Sequence, residues 1–383
     1  MKILFVIHEA DRTGAPLFIL GLLEWLKREH KNIEFDILLL SRTKPDIEFS
    51  HISKVYYWNY NPANICTKIL NKLYPEFHSK LIMSALKRNN YDLCYVNSAA
   101  SCRVMKSLAS MLACPFLLHV HELESGIKNS GSAEPFEACV PFAKHFIGVS
   151  NAVKRNLMER YRIPEDKISV IPPVSRRIAN NITERIDLKK TPGLPADAFI
   201  AGICGTLSWH KGMDLLVPLL RKISENSGNG KIFFVWVGET CPQYQKILEY
   251  DLERLGLADK VRFAGKTPNA LSYMAEFDIL LLLSREESFS LVAAEASALG
   301  KTVLCFENVI GWTEYASHDA YIAVPYLDLD KMANTIIELS QGKRIHSGSD
   351  ANSSNYAPEK VLPEIFDRIM NCVVLLQGKT TTG

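Results

Sequence analysis

The stretch FIAGICGTLSWHKGMDLLVPLL, residues 199–220, predicts a buried strand, a polar loop and a helix in immediate succession. Its first residues form a continuous apolar run, which is typical of a strand covered on both faces of a parallel sheet. The same order, a short apolar run followed by a longer amphipathic run, recurs along the whole chain. This alternation predicts an α/β protein with parallel sheets.

Two groups of six apolar runs predict the strands of two sheets. In the first half of the chain, the runs are residues 2–8, 35–40, 54–58, 92–97, 115–120 and 145–150. In the second half, they are residues 199–205, 231–238, 261–265, 279–284, 302–306 and 320–324. We therefore expect two doubly wound, Rossmann-like units, with ligands bound at the carboxyl ends of their strands.

The length of 383 residues fits two or three domains at roughly 100–200 residues per domain. We predict a first domain over residues 1–178, a linker over 179–195, a second domain over 196–356 and a terminal helix over 357–378. The linker is placed there because that stretch is polar, lacks an apolar face and ends in Pro and Gly. The sequence leaves open whether the terminal helix packs back on the first domain.

The composition excludes several classes of protein. Hydrophobic residues make up 47% and charged residues 22% of the chain, which argues against a disordered, collagen-like or coiled-coil protein. The net charge of +2 gives no reason to expect nucleic acid as a partner. The 9 cysteines lack metal-ligand spacing, and no apolar run approaches the roughly 18 residues of a spanning helix. We therefore expect reduced thiols and a cytoplasmic protein.

Gly14, Ala15 and Pro16 follow the first predicted strand and precede an amphipathic helix. A glycine at this point lets the backbone approach a ligand, and the start of the helix offers free N–H groups suited to phosphate. The spacing is not GxGxxG, which weakens a dinucleotide interpretation. An ordinary strand–helix turn explains the same residues equally well.

His119, His121 and Glu122 come at the end of the fifth predicted strand. Strand alternation directs the two histidines to the same side, where each could donate a hydrogen bond to a sugar hydroxyl or a carbonyl. A metal site is disfavoured because no third His or Cys lies at ligand spacing. A structural histidine with its hydrogen bonds satisfied is the main alternative.

Lys211 and Gly212 stand where a helix is predicted to begin after residues 199–205, with Asp214 supporting its first turn. A lysine held at this point can reach a phosphate as a point charge. An ordinary exposed lysine is the alternative.

Glu287 and Glu295 form the most specific local pattern in the chain. Glu287 lies in a loop after a predicted strand, and Glu295 lies in the small and apolar segment SLVAAEASAL, residues 290–299. A lone carboxylate in such a helix needs partners, and ribose hydroxyls would serve because a carboxylate accepts two hydrogen bonds at once. The N–H groups of Ser290 and Leu291 could hold a phosphate at the start of that helix. A buried structural glutamate is the alternative.

Taken together and in this order, these residues resemble the GT-B glycosyltransferases of family 4, a large retaining group that uses nucleotide-sugar donors. The E-x7-E motif of that family is matched by Glu287 and Glu295, and its KG phosphate loop by Lys211-Gly212. Its glycine loop is matched by Gly14-Ala15-Pro16. The resemblance covers nearly the whole chain and is strongest over residues 199–325.

The resemblance implies a role for each matched residue of the second domain. Lys211 neutralises the donor diphosphate, and Glu295 holds the ribose hydroxyls. Glu287, as a catalytic residue, contacts the sugar hydroxyls and the distal phosphate together with the backbone of Phe289, Ser290 and Leu291.

The resemblance also implies contacts outside that group. His121, the second implied catalytic residue, lies under the reacting sugar. Gly14 and Ala15 line the cleft from the first domain. Lys266 and Thr267 meet the nucleobase, mainly through their backbone.

The implied activity is retaining transfer from a nucleotide-diphosphate sugar to a glycan, lipid-linked or small-molecule acceptor in cell-surface polysaccharide or glycoconjugate synthesis. The implied enzyme is a hexosyltransferase that needs no metal or cofactor, with two Rossmann-like domains facing across a cleft. A UDP-sugar epimerase on the same fold, or a non-catalytic nucleotide-sugar-binding partner protein, is the alternative. Basic and apolar side chains over residues 64–90 leave open a peripheral contact with the inner face of the cytoplasmic membrane.

The chain departs from the family pattern at several positions. Thr206 stands where the family usually has Arg, so one cation at the diphosphate is missing, and His210 or a residue of the first domain is the candidate to replace it. The family's E-G-F-G is Glu287-Ser-Phe-Ser, which adds side chains near the donor. Pro173 stands in place of an asparagine. These departures bear on the identity of the donor more than on the fold.

Overall fold

The computed structural model describes residues 1–10, 14–41, 47–59, 77–129, 131–174, 186–188, 194–227, 230–343 and 353–377. The chain forms two compact units, one of Met1–Arg176 with Tyr356–Gly383 and one of Arg177–Asn355. The first boundary comes two residues before the predicted end of the first domain. Most of the predicted linker lies outside the described residues, as do residues 64–76 of the basic and apolar stretch that suggested a membrane contact.

The first unit is built on one parallel sheet with the strand order β3-β2-β1-β4-β5-β6-β7. Its strands are β1 (Lys2–Ile7), β2 (Glu34–Ser41), β3 (Lys54–Asn59), β4 (Leu93–Asn97), β5 (Phe116–Val120), β6 (Ala143–Gly148) and β7 (Ile168–Val170). The six predicted strands are confirmed, and β7 is an addition. Three residues are too few for an apolar run to stand out from its surroundings.

The helices of the first unit connect these strands and cover the sheet. They are α1 (Gly14–Glu29), α2 (Ile47–Ile52), α3 (Phe77–Lys87), α4 (Met105–Ala109), α5 (Glu124–Asn129), α6 (Ala133–Cys139), α7 (Asn151–Tyr161) and, from the end of the chain, α13 (Pro358–Gln377). Helix α13 buries Val361, Ile365 and Ile369 in the same core as Phe18 and Leu22 of α1. The spacing of four residues puts these α13 side chains on one apolar face, so the terminal helix belongs to the first unit.

The second unit has a parallel sheet with the strand order β10-β9-β8-β11-β12-β13. Its strands are β8 (Phe199–Cys204), β9 (Ile232–Val237), β10 (Val261–Gly265), β11 (Ile279–Leu282), β12 (Thr302–Phe306) and β13 (Tyr321–Val324). Its helices are α8 (Met213–Ser227), α9 (Pro242–Arg254), α10 (Ala270–Ala275), α11 (Leu291–Ala298) and α12 (Leu329–Ser340). All six strands are those predicted. The strand order changes direction at β8 and β11, and open α/β sheets bind ligands at the carboxyl side of such a point.

Close packing at β8 and β11 explains two glycines of the second unit. A Cβ atom on Gly202 of β8 would lie 1.9 Å from Cδ2 of Phe277, a ring that is 2% exposed. Gly212 has a φ of +73°, and a Cβ there would lie 2.1 Å from the carbonyl oxygen of Leu283. Glycine is therefore required at both positions, since neither the ring nor the backbone has room to move.

The described helices contain none that is long and apolar enough to cross a membrane. The cysteines in the described part of the chain are free thiols, and most of them are buried. Helix α3 is the described portion of the basic and apolar stretch, and one of its residues, Leu81, is 52% exposed. A peripheral membrane contact by this stretch stays a prediction.

We expect Gly202→Ala to destabilise the second unit by about 2–3 kcal/mol, because a methyl group must enter a well-packed core. Gly21→Ala is the matched control. Gly21 lies within α1, and a Cβ there would have no atom within 4 Å, so helix propensity should stabilise that variant by up to about 1 kcal/mol. Urea unfolding curves measure both changes. Equal midpoints for Gly202→Ala and the unmodified protein would contradict the packing described above.

Candidate functional site

Lys211 ends a tight turn that follows β8. The hydroxyl oxygen of Ser208 caps this turn by accepting from the amide of Lys211 at 3.4 Å. Gly212 then turns the chain in the left-handed conformation, and α8 begins at the next residue. Because the cap and the glycine fix the backbone on both sides, the lysine ammonium is presented from a defined point at the carboxyl end of β8.

Glu287 meets Lys211 in the loop after β11. Its Oε1 accepts from the ammonium of Lys211 at 2.7 Å and from the hydroxyl of Ser284 at 2.5 Å, and Ser290 adds a further hydrogen bond. Burial alone would raise the pKa of the Glu287 carboxyl, but the charge of Lys211 and these hydrogen bonds outweigh it and lower the pKa below its usual range. The carboxylate is therefore ionised at neutral pH and forms a buried ion pair.

The backbone around Glu287 is held by hydrogen bonds to the segment after β12. The amide of Glu287 donates to the carbonyl of Val309 at 2.9 Å, and its carbonyl accepts from Gly311 at 3.1 Å. The carbonyl of Phe289 accepts from Trp312 at 2.8 Å, and the Phe289 ring is buried. The predicted sugar-contacting loop is thus a rigid extension of the sheet.

Helix α11 begins directly after this loop, at Leu291. Its cap residue, Ser290, has a φ of +86° and accepts from the amide of Ala293 at 3.4 Å. A non-glycine residue is strained in this conformation, which fits the glycine that the family pattern has at this position. The first amides of α11 therefore point out of the helix at the same place as the Lys211–Glu287 pair.

Glu295 lies on the buried face of α11 and is 5% exposed. Burial and, second, the charge of Glu295 raise the pKa of the Cys204 thiol at the end of β8. Helix α11 follows β11, which is the neighbour of β8 in the sheet, so the second glutamate of the E-x7-E pattern lies in the element directly after the loop that holds the first.

Arg285 ties the two loops of this site together, and sequence reasoning missed it. Its guanidinium donates to both carboxylate oxygens of Asp214, at 2.9 and 2.6 Å, and to the carbonyl of Trp209 at 2.6 Å. It also lies 4.3 Å from the centre of the Trp209 ring, and its amide donates to the carbonyl of His210 at 3.0 Å. The available signal in the sequence was that Arg285 and Asp214 carry opposite charges. They lie 71 residues apart, and no sequence periodicity links residues at that separation.

Lys266 and Thr267 follow β10 and lie apart from the pair of Lys211 and Glu287. Strand β9 separates β10 from β8 in the sheet. The ammonium of Lys266 pairs with Glu239 at 2.8 Å, and the hydroxyl oxygen of Thr267 accepts from the amide of Asn269 at 3.1 Å. Both side chains have protein partners, which leaves the backbone for the expected contact with a nucleobase.

His121 belongs to a separate cluster in the first unit, at the carboxyl end of β5. Its Nε2 lies 2.9 Å from Oδ1 of Asn97, and its ring stacks on His119 with 4.2 Å between ring centres. The stacking confirms that both histidines lie on one side. Burial, and next the proximity of His8, lower the pKa of His121 to about 3, so its ring is neutral at physiological pH.

His119 and Glu122 are structural neighbours of His121. His119 is fully buried, and its Nδ1 lies 2.6 Å from the hydroxyl of Tyr95. Glu122 accepts from the backbone amides of Ala99 at 3.1 Å and His121 at 3.0 Å, so its carboxylate faces the backbone. Among the described residues, no group of three or more His, Cys, Asp or Glu could hold a metal ion.

Gly14 and Ala15 begin helix α1 beside the same cluster. The carbonyl of Ala15 accepts from Nδ2 of Asn97 at 3.2 Å, and Asn97 in turn contacts His121. The structure therefore brings Ala15 and His121 together in the first unit, and Lys211, Glu287 and the start of α11 together in the second.

Comparison with known proteins gives matches over both units. The model of "Glycosyltransferase Family 4" matches residues 12–174, and that of "Glycosyl transferases group 1" matches residues 184–360. An uncharacterized glycosyltransferase of Methanocaldococcus jannaschii, MJ1607, is 24% identical over 340 residues, which is 83% of each chain. The N-acetyl-alpha-D-glucosaminyl L-malate synthase of Bacillus anthracis is 25% identical over 336 residues, 75% of this chain and 81% of the other.

The fold has counterparts among solved structures. Anabaena HepE, crystallised with UDP and glucose, superposes with a TM-score of 0.75 at 21% identity, over 98% of this chain and 99% of HepE. The two family models between them span nearly all of the chain, and they meet at the division between its two units. The chain therefore belongs to the GT-B glycosyltransferases of the family 4 type.

Proposed function

We propose that this glycosyltransferase takes its sugar from a nucleoside diphosphate sugar and transfers it to a hydroxyl-bearing acceptor with retention of the anomeric configuration. The contact between Lys211 and Glu287, at the carboxyl ends of β8 and β11, carries the proposal. This contact supports the proposal because a lysine ammonium can neutralise a diphosphate and the carboxylate beside it can orient sugar hydroxyls. UDP is the first nucleotide to test, since the HepE structure contains it.

The diphosphate of the donor would bind between Lys211 and the start of α11. The first amides of a helix have no partner within the helix, and the positive end of its dipole attracts an anion. The amides of Leu291 and Val292 are in this position, while Ser290 already caps that of Ala293. Glu287 holds Lys211 at 2.7 Å, so the diphosphate would share a cation that is already oriented.

The reaction is a direct displacement on the face from which the diphosphate departs. The bond from the anomeric carbon to the diphosphate oxygen breaks, and the bond to the acceptor oxygen forms on the same side. The acceptor's hydroxyl proton passes to the departing diphosphate oxygen. Lys211 and the α11 amides stabilise the charge that develops on the leaving group, so this scheme needs no metal ion.

The two glutamates orient the donor in this scheme. Glu295 accepts from the ribose hydroxyls, and Glu287 accepts from a sugar hydroxyl as well as from Lys211. Neither glutamate acts as a general acid or base in this scheme, because the acceptor's proton passes to the departing diphosphate oxygen. His121, neutral at physiological pH, contributes a hydrogen bond rather than a proton.

The acceptor is a glycan, a lipid-linked sugar or a small hydroxyl compound, and cell-surface glycan synthesis is the proposed context. The relatives and family models described above are transferases, so a sugar epimerase or a non-catalytic partner protein has no specific support.

A thermal-shift screen with UDP-, GDP-, ADP- and CDP-sugars tests the donor class. One nucleoside diphosphate sugar should stabilise the protein by about 2.7 kcal/mol at a concentration of 100 times its Kd. The corresponding sugar should then appear on an acceptor hydroxyl with unchanged anomeric configuration by NMR. If none of these sugars stabilised the protein at millimolar concentration, the proposed function would be wrong.

Lys211→Met should lower kcat/KM for the donor roughly 10- to 150-fold, because a charge-assisted hydrogen bond contributes about 1.5–3 kcal/mol. Lys222→Met is the matched control, since Lys222 pairs with Asp330 in the same unit and is not part of the site. Its kinetics should equal those of the unmodified enzyme. EDTA should leave turnover unchanged, and a loss of turnover restored by Mg²⁺ would overturn metal independence.

Glu295→Gln should raise KM for the donor and reduce the preference for ribose. An amide can accept one ribose hydroxyl but places a donor against the other. The unmodified enzyme should bind a nucleoside diphosphate at least 10-fold more tightly than its 2′-deoxy analogue, corresponding to about 1.4 kcal/mol. Isothermal titration with both compounds should show this ratio collapse in the variant, and a preserved ratio would contradict the assignment of Glu295.

A further inference from the structure

Asn97 links the start of α1 to His121 in the first unit. It is the last residue of β4, and it is fully buried. Its Nδ2 lies 3.2 Å from the carbonyl oxygen of Ala15, and its Oδ1 lies 2.9 Å from Nε2 of His121. One amide side chain thus contacts both residues of this unit that the structure brings together at the candidate site.

The orientation of the Asn97 amide follows from the chemistry of its neighbours. The carbonyl oxygen of Ala15 can only accept a hydrogen bond, so the amide nitrogen must face it. The amide oxygen of Asn97 then faces His121, and this oxygen too can only accept. The reverse orientation would set two acceptors against each other at Ala15. Nε2 of His121 must therefore carry a hydrogen atom.

The second nitrogen of His121 is then an acceptor. Among the described residues, the ring contacts His119, Phe18 and Asn97 and lies near His8, and none of these four offers a negative charge that would favour a second proton. Glu122, the adjacent carboxylate, is engaged with backbone amides. A neutral imidazole with its proton on Nε2 has a lone pair on Nδ1.

We infer that Asn97 is a positioning residue that fixes His121 as the Nε2–H tautomer, so that Nδ1 accepts a hydrogen bond from a ligand hydroxyl. The sequence predicts a histidine that donates to a sugar hydroxyl or a carbonyl. With Nε2–H held by Asn97, the other nitrogen can only accept, so its ligand partner is a hydroxyl and not a carbonyl. The identity of that hydroxyl as part of a sugar rests on the proposed function. The tautomer of His121 and its dependence on Asn97 do not rest on the proposed function.

The tautomer can be read directly from long-range ¹H–¹⁵N correlation spectra of the full chain labelled with ¹⁵N-histidine at pH 7.5. His121→Gln identifies the signals by their loss. The unmodified protein should show a protonated Nε2 and an unprotonated Nδ1 for His121. A protonated Nδ1 would overturn the inference.

Two substitutions test the role of Asn97. Asn97→Leu removes both hydrogen bonds at similar volume, and His121 should then populate both tautomers. Asn97→Asp keeps an acceptor for Nε2–H but adds a negative charge, so the midpoint of the His121 titration should rise by at least one pH unit. An unchanged single tautomer in Asn97→Leu, or an unchanged midpoint in Asn97→Asp, would overturn the inference. If Asn97→Leu does not fold, the Asn97→Asp titration decides alone.

Two controls separate this role from a general effect on folding. Asn89→Asp alters another bridging asparagine of the same unit, which donates to the carbonyl of Ala85 and accepts from Lys2. His145 has its own partner, Ser169, at 2.8 Å. The His121 signals in Asn89→Asp, and the His145 signals in the Asn97 variants, should match those of the unmodified protein.

The kinetic consequence distinguishes this inference from the proposed function. With an active donor, Asn97→Asp should reduce kcat/KM more strongly at low pH than at high pH, because a protonated His121 loses the lone pair on Nδ1. A pH-independent loss would contradict the hydroxyl contact. If no nucleoside diphosphate sugar were a substrate, the proposed function would fail while the NMR result still decided the tautomer.

Discussion

The buried ion pair between Lys211 and Glu287 is the interaction on which the rest of the second unit's site depends. The Glu287 side chain is 8% exposed, and an unpaired carboxylate at such a depth would cost several kcal/mol. Lys211, Ser284 and Ser290 all donate to it, which keeps it ionised. Because these donors come from loops after two different strands, satisfying one charge fixes the geometry of both loops. Arg285 adds a second, more exposed pair across the same loops.

The cluster around His119 and His121 in the first unit differs from this site because it is uncharged. His119 is fully buried, His121 is half-buried, and both rings pack against Phe18, so loss of hydration keeps both rings uncharged. Without charge, their orientation depends on hydrogen bonds, which Tyr95 and Asn97 supply. An ion pair therefore fixes the side chains of the candidate site in the second unit, whereas hydrogen bonds and ring stacking fix those in the first.

Ser290 shows how the chain accommodates a departure from the family pattern. Its φ of +86° is natural for glycine and costs a serine about 1–2 kcal/mol. The hydroxyl compensates, because a serine cap on a helix contributes about 1 kcal/mol and the same side chain also bonds to Glu287. Thr206, in contrast, is exposed, and Arg285 does not supply a free cation in place of the missing arginine because Asp214 pairs with it.

The amino-acid sequence by itself determined the two-sheet architecture. It also singled out Lys211, Glu287 and Glu295 as candidate site residues, because apolar runs and short motifs are local properties of a chain. It did not reveal β7, whose three residues are too few to form a pattern, nor the unit to which α13 belongs. Only the tertiary structure decided that Arg285 pairs with Asp214 and that Asn97 bridges Ala15 and His121. These three contacts join residues 71, 82 and 24 positions apart, and no periodicity relates such residues before the chain folds.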